Sequence, residues 1–150
     1  MKTWSAARGE ARLAMNAREH ERADALLDEA ELLLKASTKN GDHAAWASII
    51  GTRADLRIQE GLLDDAIDLA RSALEHERQA AAAPIFVGNR LMFLAQLLVR
   101  TAALEGARSA MLEAIPLFIA SFGDDHQEVR HVRGLLVTVE KRLKLQLVVQ

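Results

Sequence analysis

The chain has 150 residues, with 19 cations against 21 anions and no cysteine. A net charge of −2 supplies no basic face to displace counterions from phosphates, which argues against nucleic acid as a partner. The missing cysteines exclude disulfides, thiolate zinc sites and thiol nucleophiles together, while the length suffices to bury a real core.

Half of the residues are hydrophobic, most of them Ala and Leu, and the aromatics are confined to Trp4, Trp46, Phe86, Phe93, Phe118 and Phe122. Strong helix formers dominate and β-branched residues stay scarce until the C-terminus, so the expectation is an all-α chain. Charges interrupt the first fifteen residues too often for a signal-peptide core. The Ala-rich uncharged run Ala80 to Asn89 contains Pro84 and is too short to span a bilayer. No membrane partner and a cytoplasmic location are therefore expected.

Seven helices are predicted. The first, about Thr3 to Ala17, carries Trp4, Ala7, Ala11 and Ala14. The second, about Glu19 to Ala36, places Ala23, Leu26, Leu27, Ala30, Leu33 and Leu34 at three-and-four spacing. A polar break follows, with Gly41 ending the linker and Asp42 capping the third helix, about His43 to Gln59. Gly61 turns the chain into a fourth helix from Asp64 to about Gln79, and Pro84 disfavours α geometry at Ala83.

The fifth helix, about Pro84 to Leu104, is the most apolar. Gly106 then parallels Gly61, and a sixth helix reaches Phe122, with a kink expected near Leu112 because Pro116 lacks an N–H. Gly123 ends it. Asp125 and Glu128 have capping-box spacing before a seventh helix, about Gln127 to Leu147, which is apolar on more than one side.

Ala23, Ala66 and Ala110 stand 43 and 44 residues apart, and Leu27, Ala70 and Ala114 repeat those intervals. Such a period in a strandless chain means stacked helical hairpins. The expected organisation is one repeat domain over residues 1–150, with repeats at about 3–37, 43–80 and 84–122 and a terminal helix at about 126–147.

The set Ala54, Gly61, Ala66, Ala73 and Leu74 resembles the tetratricopeptide repeat, in which antiparallel helix pairs stack into a right-handed superhelix. The first repeat keeps Ala11, Ala23 and Ala30 with Arg18 at the Gly position. The third keeps Gly106 and Ala110 with a one-residue slip and has Leu117 at the last Ala position. The long interval is similar to the variant of about 42 residues found in kinesin light chains and bacterial relatives. The segment Gly123–Asp124–Asp125–His126 is similar to that variant's Gly-x-x-His junction, and Asn40–Gly41–Asp42–His43 to a shortened form. The resemblance implies an α-solenoid of three antiparallel hairpins plus a C-terminal capping or dimerising helix.

His126, His131, Glu128, Asp124 and Asp125 invite a metal reading. Five residues along a helix turn about 500°, however, so the two histidines do not share a face. Loop capping is the expected role of His126 and His43, and His20 and His76 read as parts of solvated faces. No metal site and no cofactor are expected. No serine sits in a nucleophile elbow, no glycine loop cradles phosphate, and the paired aspartates sit at helix starts where the dipole explains them. A catalytic role is not expected.

In the tetratricopeptide family the first helix of each pair lines the concave side. That register turns Ser5, Arg8, Arg12 and Asn16 inward from the first helix, Ser48, Asp55 and Gln59 from the third, and Gln96 and Arg100 from the fifth, with Asn89 and Arg90 one turn earlier. Arg suits bidentate recognition of carboxylates. Its competing roles here are a merely solvated face or internal pairing with Asp55 and Glu10. The expected function is a non-enzymatic adaptor for a protein or peptide bearing an acidic group or C-terminal carboxylate. The alternatives are a regulatory sensor for a signalling peptide or small ligand acting through a partner protein, and an enzyme accessory subunit. Terminal repeats normally turn a polar face outward. The apolar seam Val132, Leu136, Val139, Leu143 and Leu147 therefore suggests a homodimer through the last helix.

Overall fold

The computed structural model describes residues 1–37, 42–80 and 83–149. Seven α-helices account for nearly all of them: α1 (Trp4–Asn16), α2 (His20–Ser37), α3 (His43–Gln59), α4 (Leu63–Gln79), α5 (Pro84–Arg100), α6 (Leu104–Phe122) and α7 (Gln127–Val149). Among the described residues there is no strand. The break and cap expected at Asn40 and Gly41 lie outside the described residues. Two compact units divide the chain, Met1–Ala80 with α1 to α4 and Ala81–Gln150 with α5 to α7.

Three helix reversals share one construction. After α1, α3 and α5 the backbone places Arg18 (φ 60°), Gly61 (φ 79°) and Ala102 (φ 61°) in the left-handed region. Each turn closes with the same two bonds. The left-handed residue donates to the carbonyl three back (Met15, Ile58, Val99) and the next residue to the carbonyl five back (Ala14, Arg57, Leu98), all at 2.8–3.1 Å. This is the Schellman motif, which satisfies carbonyls orphaned at a helix end and sends the chain back antiparallel. Only Gly61 uses the residue suited to that conformation; Arg18 and Ala102 hold it despite a Cβ.

Counting from these turns gives the repeat register. Seven residues before each turn stand Ala11, Ala54 and Ala95; five after it, Ala23, Ala66 and Ala107; twelve after it, Ala30, Ala73 and Ala114. All nine are at most 1% exposed. Small side chains at these crossings let antiparallel helices approach closely, and the same three positions recur in every hairpin.

The third hairpin thereby corrects the expectation built on Gly106. That residue lies inside α6, where a Cβ would come 3.2 Å from Leu98 Cδ1, so it serves a close helix approach and not a turn. The turn is Thr101–Ala103, and Leu104 opens α6 instead of closing α5. The counterparts of Ala23 and Ala66 are consequently Ala107, not Ala110, and the last Ala position holds Ala114, not Leu117. α6 runs on through Pro116 as one helix and stops at Gly123 (φ 88°), whose N–H bonds Ile119 O at 2.8 Å.

In the first unit the two hairpins α1–α2 and α3–α4 stack through α2 against α3 and α1 against α3. A core of Ala7, Ala11, Met15, Leu27, Leu34, Ile49 and Leu56 fills the space, flanked by half-buried Trp4 and Trp46. In the second unit α7 packs on α6 and buries Val129, Val132 and Val139. Arg108 of α6 bonds Glu140 of α7 at 3.3 Å. Four residues back from Arg108 is the start of α6, and four residues on from Glu140 is Lys144. The last turns of α7 lie at and past this end of α6, and there Leu145, Leu147 and Val148 are 65–83% exposed.

The expected dimer seam is corrected accordingly. Val132 and Val139 are core residues of this unit, Leu136 and Leu143 are half-buried, and only Leu147 is open to solvent.

The turn chemistry sets a stability test. Gly61→Ala is expected to destabilise the protein by about 1 kcal/mol, since a Cβ at positive φ is strained although no atom lies within 4 Å of it. Ala102→Gly is expected to stabilise it by roughly 0.5–1 kcal/mol by relieving that strain. Urea melts of the two variants check the opposite signs.

Candidate functional site

The first helices α1 and α3 lie side by side in the first unit. Across them Arg12 Nη2 bonds Asp55 Oδ2 at 3.0 Å. Both stand six residues before their turns, so the pair joins the same position of two successive repeats; Gln96 holds it in the third. The expected groove residues fall almost entirely on such rows. Thirteen before the turn are Ser5, Ser48 and Asn89, and two before it are Asn16, Gln59 and Arg100. Steps of seven and four keep the three rows on one helix face. All nine residues are exposed or half-buried.

Asn89, Gln96 and Arg100 belong to α5 of the second unit, and the others to α1 and α3 of the first. Arg8 is half-buried on α1. Arg90 stands outside the rows, at the position occupied by buried Ile49 in the preceding repeat. Gln59 keeps its Oε1 buried with no hydrogen-bond partner among the described residues. Arg12 is not a spare cation, because Asp55 already holds it. A ligand carboxylate at this guanidinium would displace an internal one.

The largest charged cluster escaped the sequence reading. Arg53, with a side chain only 12% exposed, bonds Asp24, Asp28 at 2.9 Å and Glu31 at 3.1 Å. Arg57 bonds Asp24 at 3.1 Å and Glu60 at 2.7 Å. Its hydrogen bond to Asp24 is the main cause raising its pKa above the usual arginine value. The carboxylates stand at i, i+4 and i+7 on α2, a spacing that reads as a solvated acidic face until α3 is laid against it. This cluster fastens hairpin to hairpin. In the second unit Arg108 stands six residues after its turn, as Asp24 does after Arg18, and pairs with Glu140. The sign of the charge is reversed at the equivalent place.

The histidines also differ from expectation. His43 Nδ1 and His76 Nδ1 lie 3.0 Å apart, joining the start of α3 to the last turn of α4, so neither is a plain capping or solvated residue. Trp46 stacks against the His76 ring at 6.3 Å, and Lys35 Nζ lies 5.9 Å from the Trp46 ring centroid. Burial, and then the charge of His43, push the His76 pKa below its ordinary value.

At the α6–α7 junction His126 Nδ1 accepts the Glu128 N–H at 3.1 Å, and its ring stacks on Phe122 at 4.2 Å. His126 therefore provides the cap expected from Asp125, while Asp124 pairs with Arg133 at 2.7 Å. Among the described residues no group of three or more His, Cys, Asp or Glu is placed to hold a metal ion. No helix among them is long and apolar enough to cross a membrane.

No protein-family model matches the chain, and no curated protein matches it. Among solved structures it is similar to BtubC (BKLC) from P. vanneervenii, with a TM-score of 0.76 and 20% identity. The fold is a tetratricopeptide-like helical repeat. The match covers 88% of this chain and 52% of that one, so the chain spans about half the length of its neighbour.

Arg53→Ala is expected to cost about 1–2 kcal/mol, since it takes the arginine away from Asp28 and Glu31 and leaves Asp24 with Arg57 alone. Urea denaturation at low salt checks the loss, which added NaCl should reduce by screening the exposed carboxylates.

Proposed function

We propose that the chain is a non-enzymatic scaffold that binds a protein or peptide on the polar face of its first helices. One observation carries this reading: a single helix face repeats a polar residue at the same three positions of every hairpin, over a core built from alanine. Water alone makes an exposed helix face polar; what the rows add is that the same three positions recur at fixed distances from each turn, with Arg12 and Asp55 joined across two helices.

In the first unit this face offers Arg12, Asn16, Ser5 and the amide of Gln59. The chemistry suited to it is an extended segment with a carboxylate that takes Asp55's place on Arg12, while its backbone amides meet the Asn16 and Gln59 side chains. Exchange of one carboxylate for another at Arg12 keeps the guanidinium satisfied, so the affinity gained there is small and the neighbouring contacts set specificity. A partner carrying an acidic side chain or a C-terminal carboxylate fits.

Fluorescence anisotropy against an acidic peptide library with free C-termini tests this reading. Binders are expected to weaken at least tenfold in the double variant Arg12→Ala/Asn16→Ala, with the circular dichroism and melt close to those of the parent. Equal affinity in parent and variant would remove this face from consideration.

A further inference from the structure

The two imidazoles joining α3 to α4 lie at the end of the hairpin opposite Gly61, where α4 ends at Gln79. Their geometry is specific. The ring centroids are 5.2 Å apart and the rings are tilted by 34°. That is almost the greatest separation possible for rings whose nitrogens are 3.0 Å apart. The two Nδ1 directions therefore oppose each other along one line. They do not converge on a third point, as two ligands of one metal ion would. This is the arrangement of an N–H···N hydrogen bond.

Such a bond counts protons. With both rings neutral, one Nδ1–H donates and the other Nδ1 accepts. A first added proton leaves the bond in place and makes it charge-assisted. A second puts a hydrogen on each Nδ1, abolishes the acceptor and sets two positive charges face to face.

The surroundings divide over that second charge: the negative end of α4, where His76 sits, favours it, and the groups nearer His43 oppose it. From α2, Lys35 stands over the Trp46 ring that stacks on His76. On α3, the positive end of the helix lies at His43, and Asp42 Oδ1 is committed to the Ala45 N–H. On α4, Glu75 favours a charged His76 but shares its carboxylate with Gln79 at 3.2 Å. Glu77 is buried and Arg78 exposed on the same helix.

We propose that His43 and His76 form a proton-operated latch, closing the open end of the second hairpin near neutral pH and releasing it when the pair takes its second proton. The sign follows from the lowered His76 pKa. Unfolded histidine near 6.5 binds protons that the folded pair refuses. Stability is therefore whole above that value and is lost as pH falls through the lower folded one. Release loosens the last turn of α4.

Two measurements on the full chain test the latch. With ¹⁵N-labelled histidine, a trans-hydrogen-bond coupling between the two Nδ1 nuclei is expected at pH 7.5 and is expected to disappear on acidification, at the pH where both rings carry a charge. In thermal melts between pH 7.5 and 5.5, the parent should lose about 2–4 °C more than His76→Phe, which keeps the stack on Trp46 but cannot titrate. If His76→Phe fails to fold, His76→Gln, which cannot titrate either, serves the same comparison. Parallel melting curves in parent and variant, or no coupling at pH 7.5, would overturn the proposal.

Discussion

The left-handed residue that closes each hairpin is the constraint on which the other features depend. One residue at positive φ, bonded with its successor back to two carbonyls of the helix it ends, fixes where the first helix stops and the angle at which the second begins. Once that corner is set, the residues seven before it and five and twelve after it must meet at the crossing, and in every hairpin they are alanine. A larger side chain there would separate the helices and change the whole pair.

The same register distributes charge. Six residues after the turn, Asp24 reaches across to Arg53 and Arg57 of the next hairpin, and Arg108 in the equivalent place reaches Glu140 of α7. Two of the three hairpins thus use this position for an inter-helix ion pair, with opposite polarity, and the second holds Ile67 there. Six residues before the turn, Arg12 and Asp55 meet on the face we assign to binding. Packing, fastening and recognition occupy different residues at fixed distances from one corner, so each can vary without disturbing the others.

Much of this was legible in the sequence. Helical periodicity, capping residues and the Gly61 turn placed most helix ends within a residue or two, because alternating apolar spacing and breakers act locally. The third hairpin was misread because Gly106 advertised a turn that Ala102 makes. A left-handed alanine has no composition signal, and the glycine is present for the 3.2 Å approach to Leu98. The exposed polar rows of the first helices followed from periodicity and the family resemblance. Arg53, Arg57 and the His43–His76 bond were not, since each depends on two helices far apart in sequence. Val132 and Val139 looked like an outer seam for a similar reason: a stripe of valines does not say which neighbour covers it.

Backbone couplings and chemical shifts of Arg18, Gly61 and Ala102 in solution test the shared corner most directly. The account predicts positive φ at all three, with α-helical values at Gly106. A negative φ at Ala102 and a left-handed Gly106 would move the third turn by four residues, detach Ala95, Ala107 and Ala114 from their counterparts, and contradict the common register.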